Sequence, residues 1–232
     1  MKQASHPLIL ADLGHRIASG DLPSGSVLTL AQLEQDYGAS RTIIREAVRV
    51  LEAKGLVTAR RRVGITITPE SDWNSLDPSL IRWRLNSEDN ERHVESLIET
   101  WAALLPTSCR LAAVRGSEEQ REQLVQLMRS AGAGDLVAVG FSQRMEGILL
   151  EFYMALLSAT GNELITKLAP SICEAIAACL NNYAGPNFSD RTAYESNRQI
   201  AEAIWNKDKD TAEQRALDFS HQVLRNMEAQ GH

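Results

Sequence analysis

The sequence has few cysteines and no long apolar run, and both shortages narrow the class of protein. Its 232 residues include three cysteines, Cys109, Cys173 and Cys179, with no CxxC pair among them, so neither a disulfide framework nor a thiolate zinc site is expected. No stretch approaches the roughly 18 to 20 consecutive apolar residues that a membrane-spanning helix needs. The N-terminus also lacks a signal-peptide core and cleavage site. We therefore expect a cytoplasmic protein without membrane contact.

Catalytic motifs are lacking as well. The five histidines, at positions 6, 15, 93, 221 and 232, are scattered, and no nucleophile–base pair or carboxylate dyad stands at a motif spacing. The second half of the chain contains no glycine-rich phosphate loop and no strand-like alternation. An enzyme is therefore the least favoured class, and measurable turnover by the pure protein would be needed to support it.

The charge is unevenly distributed along the chain. Residues 1–69 contain 9 Lys and Arg against 6 Asp and Glu, a net charge of +3, and residues 70–232 contain 15 against 24, a net charge of −9. Nucleic-acid binding has to be judged by domain rather than by the overall charge of −6, because only the surface that meets the phosphates needs to be basic. The sequence therefore allows DNA binding by its N-terminal part.

The first 70 residues predict a helix-turn-helix with a wing. Helical periodicity covers residues 7–19, 29–37 and 40–54, and the last two segments are joined by a short turn around Gly38. Ser40 is a good N-cap for the third segment. From Leu56 the pattern alternates through the basic run Arg60-Arg61-Arg62 and Gly64 to Pro69, as in a β-hairpin.

The remainder of the chain predicts a bundle of helices. Residues 71–90 are rich in turn residues and are predicted to form a linker. After them, helical periodicity covers six blocks, at 91–115, 118–131, 137–160, 162–183, 190–206 and 209–229. The predicted fold is mainly α: a winged helix-turn-helix at 1–70, a linker at 71–90, and a bundle of six or seven helices at 91–232.

The residues expected to bind DNA lie on the second helix of the motif and on the wing. The N-terminal part of that helix faces the major groove, where arginine pairs well with guanine and small hydroxyls bind phosphate. A lone exposed arginine is usually only surface charge, but three on one helix face followed by a triple-arginine wing indicate DNA binding. The predicted contact residues are Thr29, Ser40, Arg41, Thr42, Arg45, Arg49, Arg60, Arg61, Arg62 and Gly64.

A family resemblance rests on several of these segments. They are Gly20-Asp21-Leu22, residues 23–28, residues 40–47, residues 51–57 and Gly64. Together they resemble the winged helix of GntR-type regulators over most of residues 8–69. The resemblance implies a repressor that binds a short palindromic operator as a symmetric homodimer, with Arg41, Arg45 and Arg49 contacting DNA beside the wing. Leu30 and Ala31 depart from the family, in which an acidic residue followed by arginine is common.

The second half resembles the FCD effector domain of the FadR-like subgroup. The resemblance is carried by residues 110–115, Phe152, residues 159–162, residues 200–204 and His221. Residues 72–77 with Trp83 resemble the corresponding stretch of galactonate-type sugar-acid regulators. The resemblance of the second half implies control of a catabolic operon by a small-molecule effector, such as a sugar acid or another small carboxylate, whose binding releases the DNA.

Many FCD domains hold a divalent metal with one Asp and three His, and this chain departs from that pattern. The Asp position falls on Leu149, two His positions fall on Tyr153 and Asn197, only His221 remains, and a family arginine falls on Trp101. Such a set ligates metal poorly, so no metal or other cofactor is expected. Trp101, Tyr153, Asn197 and His221 are predicted to bind an effector by aromatic contact and neutral hydrogen bonds. Alternatively, they only fill the core of a ligand-independent DNA-binding dimer.

Overall fold

A computed structural model describes residues 5–87, 90–132, 141–182 and 190–229 of the chain. It divides the chain into two units, Met1–Asn90 and Glu91–His232. The first unit combines short helices with a small sheet, and the second consists of long helices.

The first unit is a winged helix-turn-helix, as predicted. Its elements are α1 (His6–Ala18), β1 (Val27–Leu28), α2 (Leu30–Tyr37), α3 (Arg41–Ala53), β2 (Val57–Arg60), β3 (Gly64–Ile67) and α4 (Pro78–Leu85). The strands form an antiparallel sheet in the order β1-β3-β2, with Arg60 paired to Gly64 at the hairpin end. Gly38 ends α2 in the left-handed conformation, with φ 58°, which glycine adopts without strain and which allows the short turn into α3.

An apolar core joins these elements. Apolar residues recur every three or four positions in α1 and α3, which places their side chains along one stripe of each helix. These stripes pack on residues of α2, the strands and α4. The buried core residues include Ile9, Leu13, Ile17, Leu33, Ile44, Leu51, Leu56, Ile67, Trp73, Leu80 and Trp83.

Residues 71–90, expected to be a linker, largely belong to the core of the first unit. The helix α4 packs against α1, and Trp73, Leu80 and Trp83 are buried in the same cluster as the helix-turn-helix residues. A Cβ atom at Gly14 of α1 would lie 2.5 Å from the ring of Trp83, so this glycine makes room for the indole. Turn residues predict a boundary in this segment, but Trp73 and Trp83 anchor it to the first unit.

The second unit is the predicted helical bundle. In the described residues it contains α5 (Glu91–Arg115), α6 (Glu118–Gly132), α7 (Phe141–Ala159), α8 (Glu163–Asn182), α9 (Asp190–Trp205) and α10 (Lys209–Ala229). The helix α5 is central, because it contacts α7, α8, α9 and α10. Within the described ranges, no helix combines the length and apolar character needed to cross a membrane.

Candidate functional site

The helix α3 presents its arginines to solvent and its apolar side chains to the core. Ile44, Val48 and Leu51 are buried, whereas Arg41, Arg45 and Arg49, spaced four residues apart, are exposed on the other side. Ser40 is the N-cap residue, but its side chain makes no capping hydrogen bond. Its exposed hydroxyl and the first N–H groups of α3 are therefore available to a phosphate group.

The start of α2 faces the same surface as these arginines. Thr29 caps α2: its hydroxyl accepts a hydrogen bond from the Gln32 N–H at 3.2 Å, and the Gln32 side-chain oxygen accepts one from the Thr29 N–H at 2.9 Å. This reciprocal arrangement fixes the entry to the helix-turn-helix. Leu30 and Ala31, which replace the polar pair common in the family, follow directly.

The wing is held against α3 by a hydrogen bond. The Glu52 carboxylate accepts one from the Ala59 backbone N–H at 3.0 Å, linking α3 to β2. At the tip, Arg62 takes a left-handed φ of 69° and Gly64 a φ of 115°. A Cβ at Gly64 would lie 2.7 Å from the Leu28 carbonyl oxygen, so glycine is required here for strand pairing, whether or not it touches DNA.

These elements enclose a groove of about 850 Å³. Six arginines and one glutamate line it, so its field is strongly positive and suited to a polyanion. The structure brings eight of the ten predicted contact residues to this groove, while Ser40 and Thr42 lie exposed at the adjacent start of α3. The lining residues are Thr29, Leu30, Ala31, Arg41, Arg45, Val48, Arg49, Glu52, Ala59, Arg60, Arg61, Arg62, Val63, Gly64 and Ile65.

Glu52 and Val63 line the groove but do not belong to the predicted contact residues. Glu52 lies three residues after Arg49 and seven after Arg45, which places it on the same helix face. Val63 is an apolar residue at the tip of the wing and is 55% exposed. Helical spacing would have found Glu52, whereas Val63 required the register of the hairpin.

The predicted effector residues are only partly brought together. Trp101 of α5 meets the ring of Tyr153 edge-on at 6.2 Å and that of Phe219 at 5.7 Å. The Tyr153 hydroxyl donates to Asn197 Oδ1 at 2.9 Å, and Asn197 Nδ2 donates to the Ala193 carbonyl at 2.8 Å. Three predicted residues therefore belong to one buried cluster.

His221 lies outside this cluster. It is exposed on α10, whose buried face contains Ala212, Ala216, Phe219 and Val223. In place of an imidazole, α10 contributes the Phe219 ring. Residue type favours the histidine as a ligand-binding group, but its position on α10 turns it away from the bundle interior.

The residues at the family's metal position do not fit a divalent cation. Leu149 offers no ligating atom, and the oxygens of Tyr153 and Asn197 are joined by their own hydrogen bond. Within the described ranges, no group of three or more His, Cys, Asp or Glu side chains is arranged to hold a metal ion. Trp101 Nε1 is buried and, among the described residues, has no hydrogen-bond partner, so the cluster retains one unused donor.

Two family models match the chain. The model for "Bacterial regulatory proteins, gntR family" covers residues 8–67, and that for the FCD domain covers residues 96–219. The galactonate operon transcriptional repressor of Escherichia coli is 26% identical over 211 residues, 90% of each chain. The uncharacterised HTH-type regulator YieP of E. coli is 37% identical over 127 residues, which are 54% of this chain and 55% of YieP.

Solved structures show the same architecture. A Streptococcus agalactiae GntR structure matches with a TM-score of 0.53 and 25% identity, over 95% of this chain and 99% of the other. The Lar protein of Listeria monocytogenes matches with a TM-score of 0.63 and 17% identity, over 99% of both chains, and supports the fold alone.

Proposed function

The chain belongs to the GntR family of bacterial regulatory proteins and carries an FCD domain; it is a DNA-binding transcriptional regulator, and we propose that it represses a catabolic operon in the cytoplasm until an effector releases it. We propose further that it acts by binding and not by catalysis. The observation that carries the proposal is the groove in which six arginines of α3 and the wing meet.

The proposed DNA contacts divide by chemistry. Arg41, Arg45 and Arg49 enter the major groove with α3, the wing arginines follow the neighbouring backbone, and Ser40 and Thr42 bind phosphates at the start of the helix. A symmetric homodimer would place two such grooves on the halves of a palindromic operator. Footprinting on a site selected from random DNA should then reveal two related half-sites protected by a dimer.

Arg45 tests the proposed reading face. Its replacement by alanine should weaken operator binding at least about tenfold, the loss expected for one bidentate base contact, without changing the melting temperature. Arg215→Ala is a matched control, because Arg215 is exposed on α10 and the substitution removes the same charge. Normal footprints from Arg45→Ala would refute the assignment of α3 as the reading helix.

The proposed effector site is the buried cluster of Trp101, Tyr153, Asn197 and Phe219. We propose that it needs no metal, since its residues use their oxygens among themselves and Leu149 has none in its side chain. The galactonate repressor relative makes sugar acids and other small carboxylates the first ligands to test. Arg121 is the only charged side chain buried in the described part of this unit, and it donates to the Gly116 carbonyl, so neutral counterparts of each acid belong in the same screen.

A thermal-shift and operator-release screen tests this proposal. Each acid and its amide are added with zinc, with manganese and with chelator. Stabilisation that persists in chelator supports a metal-free sensor, and stabilisation by metal alone refutes it. If no compound changes either the melting temperature or operator binding, the helical domain serves only dimerisation.

A further inference from the structure

The three arginines of the reading helix are not equivalent in the free protein. Arg49 Nη1 lies 2.7 Å from Glu46 Oε1, one turn earlier on the same helix. Arg41 Nη1 forms a looser pair with Glu34 Oε1 of α2, at 3.8 Å. Within the described residues Arg45 forms no ion pair, so it is the arginine that is ready to bind DNA.

The Glu46–Arg49 pair is too exposed to serve mainly as a structural contact. The two side chains are 64% and 52% exposed, for Arg49 and Glu46 respectively, and ion pairs in this setting contribute little to folding. Glu46 instead places a carboxylate on the outer surface of α3, beside the arginines that line the groove. While the pair is closed, this carboxylate neutralises the charge that Arg49 would otherwise offer to a phosphate group.

The Glu46–Arg49 pair is expected to affect the affinity for non-specific DNA and the affinity for the operator differently. Non-specific binding depends almost entirely on phosphate contacts, and Glu46 reduces it by neutralising the charge of Arg49. At the operator, base-edge contacts hold α3 in a defined position, in which Arg49 can exchange the carboxylate for DNA. Specificity can be gained in this way by penalising the wrong partner.

We propose that Glu46 is a specificity determinant: by holding Arg49 in an ion pair, it lowers affinity for non-operator DNA more than for the operator. The inference rests on the proposed placement of α3 in the major groove.

The test is Glu46→Gln in the full-length protein. Affinities are measured from low to high salt for an operator duplex selected from random DNA and for a scrambled duplex of equal length. For the scrambled duplex we expect affinity to rise about three- to tenfold and the salt dependence to steepen by about one released ion. Operator affinity should rise by less than about threefold, because Arg49 already contacts the operator in the wild type and the variant saves only the small cost of opening an exposed ion pair.

Glu70→Gln is the matched control, because Glu70 pairs with Arg84 and lies outside the groove, yet the net charge changes equally. If Glu46→Gln behaves like Glu70→Gln, or raises both affinities equally, the inference is wrong. If only operator binding falls, Glu46 reads a base directly and the proposed mechanism is also wrong. If the wild type shows no preference for a selected duplex, the proposed function itself fails, which is a separate outcome.

Discussion

Lys54 Nζ lies 2.8 and 2.7 Å from the two carboxylate oxygens of Asp77. Lys54 is the C-cap residue of α3 and Asp77 is the N-cap residue of α4. The Asn74 backbone N–H also donates to the Lys54 carbonyl at 3.0 Å, and the ammonium lies 5.9 Å from the centre of the Trp83 ring. The end of the reading helix and the start of α4 are therefore fixed to each other.

Two substitutions separate the roles of Asp77. Asp77→Asn retains an N-cap oxygen but removes the ion pair, and should lower the free energy of unfolding by about 1 kcal/mol. Asp77→Ala also removes the hydrogen bonds accepted from the Ser79 and Leu80 N–H groups and should cost roughly 2 kcal/mol. Urea unfolding checks both values. Equal losses would show that Asp77 acts only through the ion pair.

Acid should weaken the contacts that Asp77 makes with Lys54 and with the start of α4. Burial by itself would raise the pKa of Asp77, but hydrogen bonds from Lys54 and from the Leu80 and Ser79 N–H groups outweigh it and leave the pKa below its usual value. The unfolded chain therefore takes up the proton more readily, so acid favours unfolding. The stabilisation is complete above about pH 4, near the ordinary pKa, and is lost as the pH falls through the lowered value. The wild type should lose its advantage over Asp77→Asn in that window, and an unchanged difference in unfolding free energy down to pH 2 would contradict this account.

Replacing Gly14 and Gly147 by alanine should shift the melting temperature in opposite directions. Both lie inside helices, where alanine is intrinsically favoured by about 1 kcal/mol. At Gly14 a Cβ would lie 2.5 Å from the Trp83 ring, whereas a Cβ at Gly147 would have, among the described residues outside its own helix turn, no atom within 4 Å. Gly147→Ala should therefore raise the melting temperature and Gly14→Ala should lower it, because the indole must shift. A rise in both would show that α4 adapts without cost.

Most of the fold was predictable from the periodicity of apolar residues. The six helical blocks of the second half correspond to α5 to α10, except that residues 137–140 and 183 of the predicted blocks lie outside the described residues. The agreement arises because apolar side chains at helical spacing have to be buried on one side. The arginines of α3 were predictable for the same reason: Arg41, Arg45 and Arg49 share the face opposite Ile44 and Leu51.

Contacts between distant residues were not predictable in this way. The docking of α4 depends on Lys54 and Asp77, 23 residues apart, and on a tryptophan that fits over a glycine. The sequence pattern of residues 71–90 does not indicate which residues they contact. His221 was selected by residue type, although the phase of α10 places Phe219 in the interior and the histidine outside.

The Tyr153–Asn197 hydrogen bond should couple α7 to α9. Tyr153→Phe leaves Asn197 Oδ1 buried without its donor and should cost about 1 to 3 kcal/mol of unfolding free energy. Asn197→Leu alone removes the oxygen that accepts from the Tyr153 hydroxyl and the Nδ2 donor to the Ala193 carbonyl, and should cost a similar amount, roughly 1 to 3 kcal/mol. The double variant Tyr153→Phe with Asn197→Leu should be more stable than the two separate losses predict, because no unpaired polar group of this pair remains. Additive losses in urea unfolding would mean that the two side chains contribute independently, and that the bond does not organise the core around Trp101.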